Sequence, residues 1–252
     1  MKLDIKFADD PRLGKLNLAL VELEGLDWGA SGAAGGNRPV LALSAERFED
    51  VIKNTRAKGQ EGWASRIKAV RDLLRNGKYK PAGRAKPSSE YLFAAALAGE
   101  FPSVNFFVDA VNLASLKYMY PMSIFDADRA GPKLVCRLGA PGERYVFNSG
   151  GQEIDVEDLI CVCARTLKIA TTEGAAGAAE EGDMVSARGV PIVNPVRDSM
   201  ATKLFEGARN AVVAIYAPDG PEGADLEAAA ADVARWCGTA CARTETRLAS
   251  LP

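Results

Sequence analysis

The stretch Val104-Asn-Phe-Phe-Val-Asp-Ala-Val-Asn-Leu-Ala-Ser115 places apolar residues at helical spacing, yet Asn105, Asp109 and Asn112 interrupt it at steps of four and three. Three polar side chains therefore share one stripe of a segment that otherwise carries Phe106, Phe107, Val108, Val111 and Leu113. Buried polar groups need partners, so such a stripe either lines a cleft or pins neighbouring loops. A second unusual segment, Pro121-Met-Ser-Ile-Phe-Asp-Ala-Asp128, follows closely, and a third, Asn194-Pro-Val-Arg-Asp-Ser199, stands far downstream.

Upstream of the stripe the pattern is helical. Ser44 is placed to cap a helix over 44–58 that turns Phe48, Val51 and Ile52 inward. A helix over 61–76 carries Trp63, Ile67, Val70 and Leu74, with Gly77 as its stop. A third helix starts after Pro87-Ser88 and runs through Tyr91, Leu92, Ala95 and Ala96 to Gly99. The first forty residues instead alternate apolar runs, Leu16–Leu23 and Pro39–Leu43, with glycine breaks, which suits strands joined by loops.

Downstream the pattern turns to strands: Lys133–Arg137, Arg144–Phe147, Leu159–Cys163 and Ala211–Ile215. Thr171–Gly182 is small and acidic and reads as a loop. From Glu222 onward composition predicts a helix with Leu226, Ala230, Val233, Cys237 and Ala240 on one side. Unequal, turn-like connections between strands, with helices gathered in the first half and the tail, argue an α+β class with mixed or antiparallel sheets and packed helices. The expected organisation is one compact unit over 1–252. Its parts are N-terminal strands and basic helices (1–99), a core (100–217) and a C-terminal helix (218–252). No Gly-x-Gly-x-x-Gly or Walker-type loop joins a strand to a helix, and no repeat is present.

Composition narrows the chemistry. The 252 residues contain no histidine, which excludes Ser-His-Asp and Cys-His mechanisms and removes the commonest metal ligand. Five cysteines, an odd number, read as reduced core thiols, and neither the Cys161/Cys163 nor the Cys237/Cys241 spacing matches a zinc knuckle. No metal and no cofactor is expected. The longest apolar runs, Tyr91–Gly99 and Ala211–Ala217, reach about half of the ~18 residues a membrane span needs. The opening ten residues hold no secretory signal, so the expectation is a cytoplasmic protein without membrane contact. Between Lys53 and Lys86 eleven basic residues face only Glu61 and Asp72, a local +9 in a chain of net −2, which leaves −11 for the remainder. Such a cluster is a footprint for phosphates or, in the plainer reading, a solvated helix face.

The three segments in this order resemble the B3/B4 domain, the tRNA-binding and editing module of the phenylalanyl-tRNA synthetase beta subunit, and its free-standing relatives. In that family a segment like Asn-Asn-Val-Val-Asp-Val-Thr-Asn leads to Pro-Met-His-Ala-Phe-Asp-Leu-Asp and then to a strand ending in Arg. Asn105, Val108, Asp109 and Asn112 fall on the first; Pro121, Met122, Phe125, Asp126 and Asp128 fall on the second; Arg137 falls on the strand's end. The resemblance covers about residues 100–217, and Arg84-Ala-Lys-Pro-Ser-Ser-Glu90 extends it toward residue 80.

It implies a B3/B4-like α+β fold, tRNA or aminoacyl-tRNA as partner, and hydrolysis of a mischarged aminoacyl ester. Two positions depart from the family: its histidine falls on Ser123 and a glutamate falls on Arg197. Tyrosine discrimination by those two groups is therefore not inherited, and Arg197 implies a substrate with an acidic or carbonyl-rich group. Ser123 has no histidine to activate it and is no triad nucleophile, but it is placed to orient a water. On this reading Ser123, Asn105 and Asp126 form the catalytic set. Asp109, Asn112, Arg197, Asp198 and Ser199 bind substrate, while Asp109 and Asp126 keep a plainer role as caps or loop ties. The tRNA would lie on Lys53, Arg56, Arg66, Lys68, Arg71, Arg75, Lys78, Lys80 and Arg84. Segments 104–128 and 194–199 are expected to meet at one pocket with Asn105, Ser123 and Arg197 exposed to it. The competing functions are a trans-acting deacylase, a tRNA- or nucleotide-binding module without turnover, and a fold kept for protein contacts.

Overall fold

A computed structural model describes residues 3–29, 45–170 and 181–250, with side chains described for 48–168 and 186–250 within the latter two stretches. Ser44, the Pro39–Leu43 run and most of Thr171–Gly182 lie outside them. The class is α+β, as expected. One sheet has the order β1 (Asp4–Phe7), β4 (Lys133–Leu138), β7 (Ile160–Ala170), β8 (Glu181–Val193). Only its β1/β4 pair is parallel. The second sheet is antiparallel throughout, in the order β10 (Cys241–Ser250), β2 (Leu16–Leu26), β9 (Asn210–Pro218), β3 (Met122–Asp126). A small ribbon pairs β5 (Arg144–Val146) with β6 (Glu153–Asp155).

The continuous apolar run of β9 is buried on both faces, as a central strand requires. Helices α1 (Ala45–Gly62), α2 (Ala64–Leu74), α3 (Ser88–Ala98), α4 (Phe106–Tyr118), the short α5 (Ala127–Ala130) and α6 (Leu226–Cys237) surround the sheets. Helix α6 packs on β2, β9 and α4, and α4 reaches β3. The main core joins both sheets and these helices. Strand β7 divides its residues by parity: Ile160, Val162 and Ala164 enter that core, while Cys161 and Cys163 enter a smaller one with Tyr145, Val156, Leu159 and Val196. All five cysteines are free thiols.

Helix ends follow local chemistry. Asn105 caps α4 by accepting the Val108 N–H at 3.0 Å, and Gly99 closes α3 in the left-handed region at φ 78. Helix α1 continues past the expected 58 to Gly62, across a break at Gly59 with φ 60. Gly77, expected to end α2, lies past its last residue, Leu74. Two strands depart from the expected pattern. Pro121–Asp128 contains β3, too short and too apolar to show alternation. The tail is not one helix: α6 ends at Cys237 and residues 241–250 form β10 along the edge of β2. The alternation Arg243-Thr-Glu-Thr-Arg247, with β-branched threonines between charges, suits an exposed edge strand better than a helix. Cys237 and Cys241 are therefore not neighbours on one helix face.

Candidate functional site

Strand β3 is the outer strand of its sheet, and the segment after β8 closes its open side. Lys203 bridges to Phe125, and the Asn194 carbonyl accepts the Ser123 hydroxyl at 3.1 Å. Asn194 is the hub of this segment: its side-chain oxygen accepts the Val196 and Arg197 N–H groups at 2.8 and 2.9 Å, and its amide donates to the Tyr145 hydroxyl. Tyr145 in turn donates to the Arg197 carbonyl at 2.6 Å. Every polar atom in this buried knot serves to fix the loop.

Between β3, α4 and this loop lies a hollow of about 630 Å³. Met122 and Ile124 form its floor, Val108 and Val111 its helical wall, and Trp28 and Leu204–Phe205 further apolar walls. Asn105, Asn112, Asp198, Lys203 and Glu206 bring polar groups to it. The Asn105 oxygen is spent on the helix cap, and the Asn112 side chain makes no hydrogen bond among the described residues. Asp198 keeps part of its surface at the wall, but its carboxyl is shut away from bulk water, and that desolvation pushes its pKa up to about 7. The Ser123 hydroxyl, the Ile124 N–H and the Lys203 charge pull it only partway back. Behind it the Tyr216 hydroxyl is buried without a hydrogen-bond partner. Burial and the adjacent Asp198 raise that phenol well above its usual range.

Asn105, Asn112 and Asp198 thus meet at one hollow, but the other expected residues do not. Ser123 is 1% exposed and points to the face of β3 opposite Met122 and Ile124, so it does not reach the hollow to orient a water there. Asp126 caps α5, accepting the Asp128 and Arg129 N–H groups at 2.9 and 3.1 Å. Burial raises its pKa, yet it lines no part of the hollow. Asp109 is fully buried, its carboxylate accepting the Ser103 hydroxyl and the Val104 N–H, both at 2.7 Å. Ser199 caps a short turn through the Ala201 N–H at 3.2 Å. Arg197 turns away from the main hollow and lays its guanidinium over Phe147 at 4.4 Å, so it does not set the charge of that hollow. Arg137 is buried in a fork on Glu143, both contacts at 2.7 Å, and ties β4 to the Arg188 and Gly189 carbonyls.

The basic residues of the helices stand in several settings. Arg66 is buried on Glu222 and Asp225 at 2.9 and 3.0 Å, donates to the Tyr118 carbonyl and stacks on Tyr120. Arg71 forks onto Glu90, Lys68 and Arg75 share Asp72, and Lys78 pairs with Glu157. Arg56 is exposed but gives its Nε–H to the Ala96 carbonyl at 2.9 Å. Lys53, Lys80 and Arg84 remain exposed. Most of the acidic partners come from distant sequence, so counting charge within 53–86 could not reveal them. The residues missed by sequence reasoning are Trp28 and the Lys203–Glu206 wall, which carry no motif of their own.

A family model described as the B3/4 domain matches residues 79–214. That is more than half of the chain, so the chain belongs to the B3/4 domain family. Membership supports a tRNA-binding, editing-like class of module, in agreement with the resemblance carried by the motif segments. The matched range contains α4, β3 and the Asn194–Glu206 segment that surround the hollow, except for Trp28. No curated protein matches the chain. Among the described residues no helix is long and apolar enough to cross a membrane, and no three metal-ligating side chains gather.

Proposed function

We propose that the protein is a free-standing B3/B4-type module that hydrolyses the ester of a mischarged aminoacyl-tRNA. The observation that carries this reading is the convergence of Asn105, Asn112 and Asp198, whose carboxyl titrates near neutrality, on one apolar-walled hollow built from the family segments. A concave, largely apolar site with a few polar groups and a perturbed titratable residue is the arrangement that catalysis uses most.

In this scheme the aminoacyl side chain occupies the apolar walls and the ester carbonyl lies toward the asparagine amides. Asp198, in its ionised form, takes a proton from a water as the water oxygen attacks the carbonyl carbon. The amides of Asn105 and Asn112 donate to the carbonyl oxygen as it gains charge. The bond from carbon to the ribose oxygen then breaks, and the proton held by Asp198 passes to that oxygen. A carboxyl that titrates near neutrality serves the proton transfer, while Ser123 acts only by supporting Asp198 and Asn194.

A second reading, binding without turnover, draws on one observation: Ser123, at the family histidine position, is turned out of the hollow. A panel of aminoacyl-tRNAs incubated with the purified protein separates the two. Release of at least one mischarged amino acid, lost in Asp198→Asn, supports the hydrolase. Bound tRNA with no release of any amino acid leaves the binding module.

A further inference from the structure

A β-sheet ends in two edges, and an edge strand offers unpaired N–H and C=O groups to any further strand. Of the four edges of the two main sheets, three are blunted. Strand β1 has only four residues. Strand β8 shifts its register with β7 at two places and carries Pro191. Strand β3 is closed by the Asn194–Glu206 segment, through the Lys203 bridge to Phe125 and the Ser123 hydroxyl. Strand β10 is different. Its ten residues keep one constant register with β2, from Cys241 opposite Leu26 to Ser250 opposite Asn17, and contain no proline. Among the described residues no strand pairs with its outer side.

The side chains of this edge supply a second observation. One face carries Arg243, Glu245 and Arg247, with the Glu245 carboxylate between the two guanidiniums at 2.9 and 2.8 Å. Arg247 also pairs with the buried Glu22 of β2 at 2.7 Å, which ties the strand to its sheet. The other face carries Thr244, Thr246 and Leu248, the last of them 52% exposed. Edge charges of a single sign repel a second copy of the same edge. Charges that alternate in sign do the reverse, because antiparallel pairing about a threonine sets arginine against glutamate. Pairing about Thr246 places Glu245 opposite Arg247 of the second copy and Leu248 opposite its Thr244. Pairing about Thr244 opposes Arg243 to Glu245 in the same way, but it engages residues 241–247 where the other register engages 242–250. Pairing about Glu245 sets like charges against each other at every charged position of the strand.

We propose that β10 docks on a second copy of this chain, the two β10 strands pairing antiparallel about Thr246. The second sheet then continues across a twofold axis as eight strands, four from each copy. The open backbone groups give the contact its affinity, and the Arg247–Glu245 pairs give it its register. Strand β10 is the edge opposite β3, the floor of the main hollow, so this contact is separate from the candidate site and does not rest on the hydrolase reading.

The test is sedimentation velocity of the full chain from about 1 to about 100 μM. The mass should move from that of one chain to that of two as concentration rises. Glu245→Arg makes the edge positive at all three charged positions and should weaken the dimer by about 10-fold or more. Leu248→Lys, at an exposed position on the other face, should weaken it by about 5-fold, and it serves if thermal melts show that Glu245→Arg fails to fold. Arg243→Gln, opposite Ala249 in this register, should leave the dissociation constant within about 2-fold. A single-chain mass throughout, which would leave the edge to a strand of another protein, overturns the proposal. So does growth beyond two chains, or a dimer indifferent to the folded edge variants. A loss with Arg243→Gln as large as that with Glu245→Arg overturns the register about Thr246.

Discussion

The basic helices and the Asn194–Glu206 segment both concentrate polar residues, and they use them in opposite ways. In α2 and the turn after it, Arg66, Lys68, Arg71, Arg75 and Lys78 find carboxylates of this same chain, so that part of the local charge excess is internal. In the Asn194 segment, the polar groups build a knot that fixes the loop carrying Asp198, whose charge burial makes costly. Charge density in the sequence thus marks structure in one region, and a few weakly conspicuous residues mark the candidate chemistry in the other.

Breaking the knot should have the largest effect on the fold. Asn194→Ala leaves the Val196 and Arg197 N–H groups and the Tyr145 hydroxyl short of a partner inside the protein, at a cost of about 3 kcal/mol in urea unfolding. It should also abolish deacylation by releasing Asp198. A wild-type midpoint would mean that the loop is held by other contacts.

The helices contain their own contrast. Arg66→Ala removes a buried guanidinium whose acidic partners still reach water, and should cost about 2 kcal/mol. Lys68→Ala breaks an exposed i,i+4 pair and should change stability by less than about 0.5 kcal/mol. Equal effects of the two in chemical denaturation would erase the distinction between internal and solvated cations.

Asp198 gives a pH-dependent effect of opposite sign. Its folded pKa is raised, so the contribution it makes is intact below the unfolded value near 4 and is lost as pH rises toward about 7. Asp198→Asn, which cannot ionise, should therefore be more stable than wild type at pH 8, by up to about 4 kcal/mol, with the gap closing as pH falls to 4. Ser123→Ala should move the Asp198 titration further up, because its hydroxyl favours the ionised form. Melting curves across this range would show a pH-independent gap if Asp198 stays ionised throughout.

Much of this was legible in the sequence because it depends on near neighbours. The Gly99 stop, the apolar run of β9 and the motif segments all announce themselves within a few residues. What was not legible depends on parity and distance. Five residues of β3 cannot show on which face Ser123 lies until the strand is paired, and a one-residue step reverses the answer. Asp109 and Asp126 look alike in sequence to a catalytic carboxyl, but their neighbours' N–H groups consume them as loop and helix caps. The partners of Arg66 come from 156 and 159 residues away, beyond any local count. Strand β10 was hidden because an alanine-rich helix leads into it and its charges suggested a helix surface.

The central claim is that Asp198 supplies the proton transfer in the hollow, and the most direct test is the pH dependence of single-turnover deacylation in wild type and Asp198→Asn. The account predicts a wild-type rate that rises to a plateau above about 7, following ionisation of this carboxyl. The variant should be slower by about 100-fold or more and show no plateau, climbing only with hydroxide. A variant with the wild-type rate and the same inflection would contradict it.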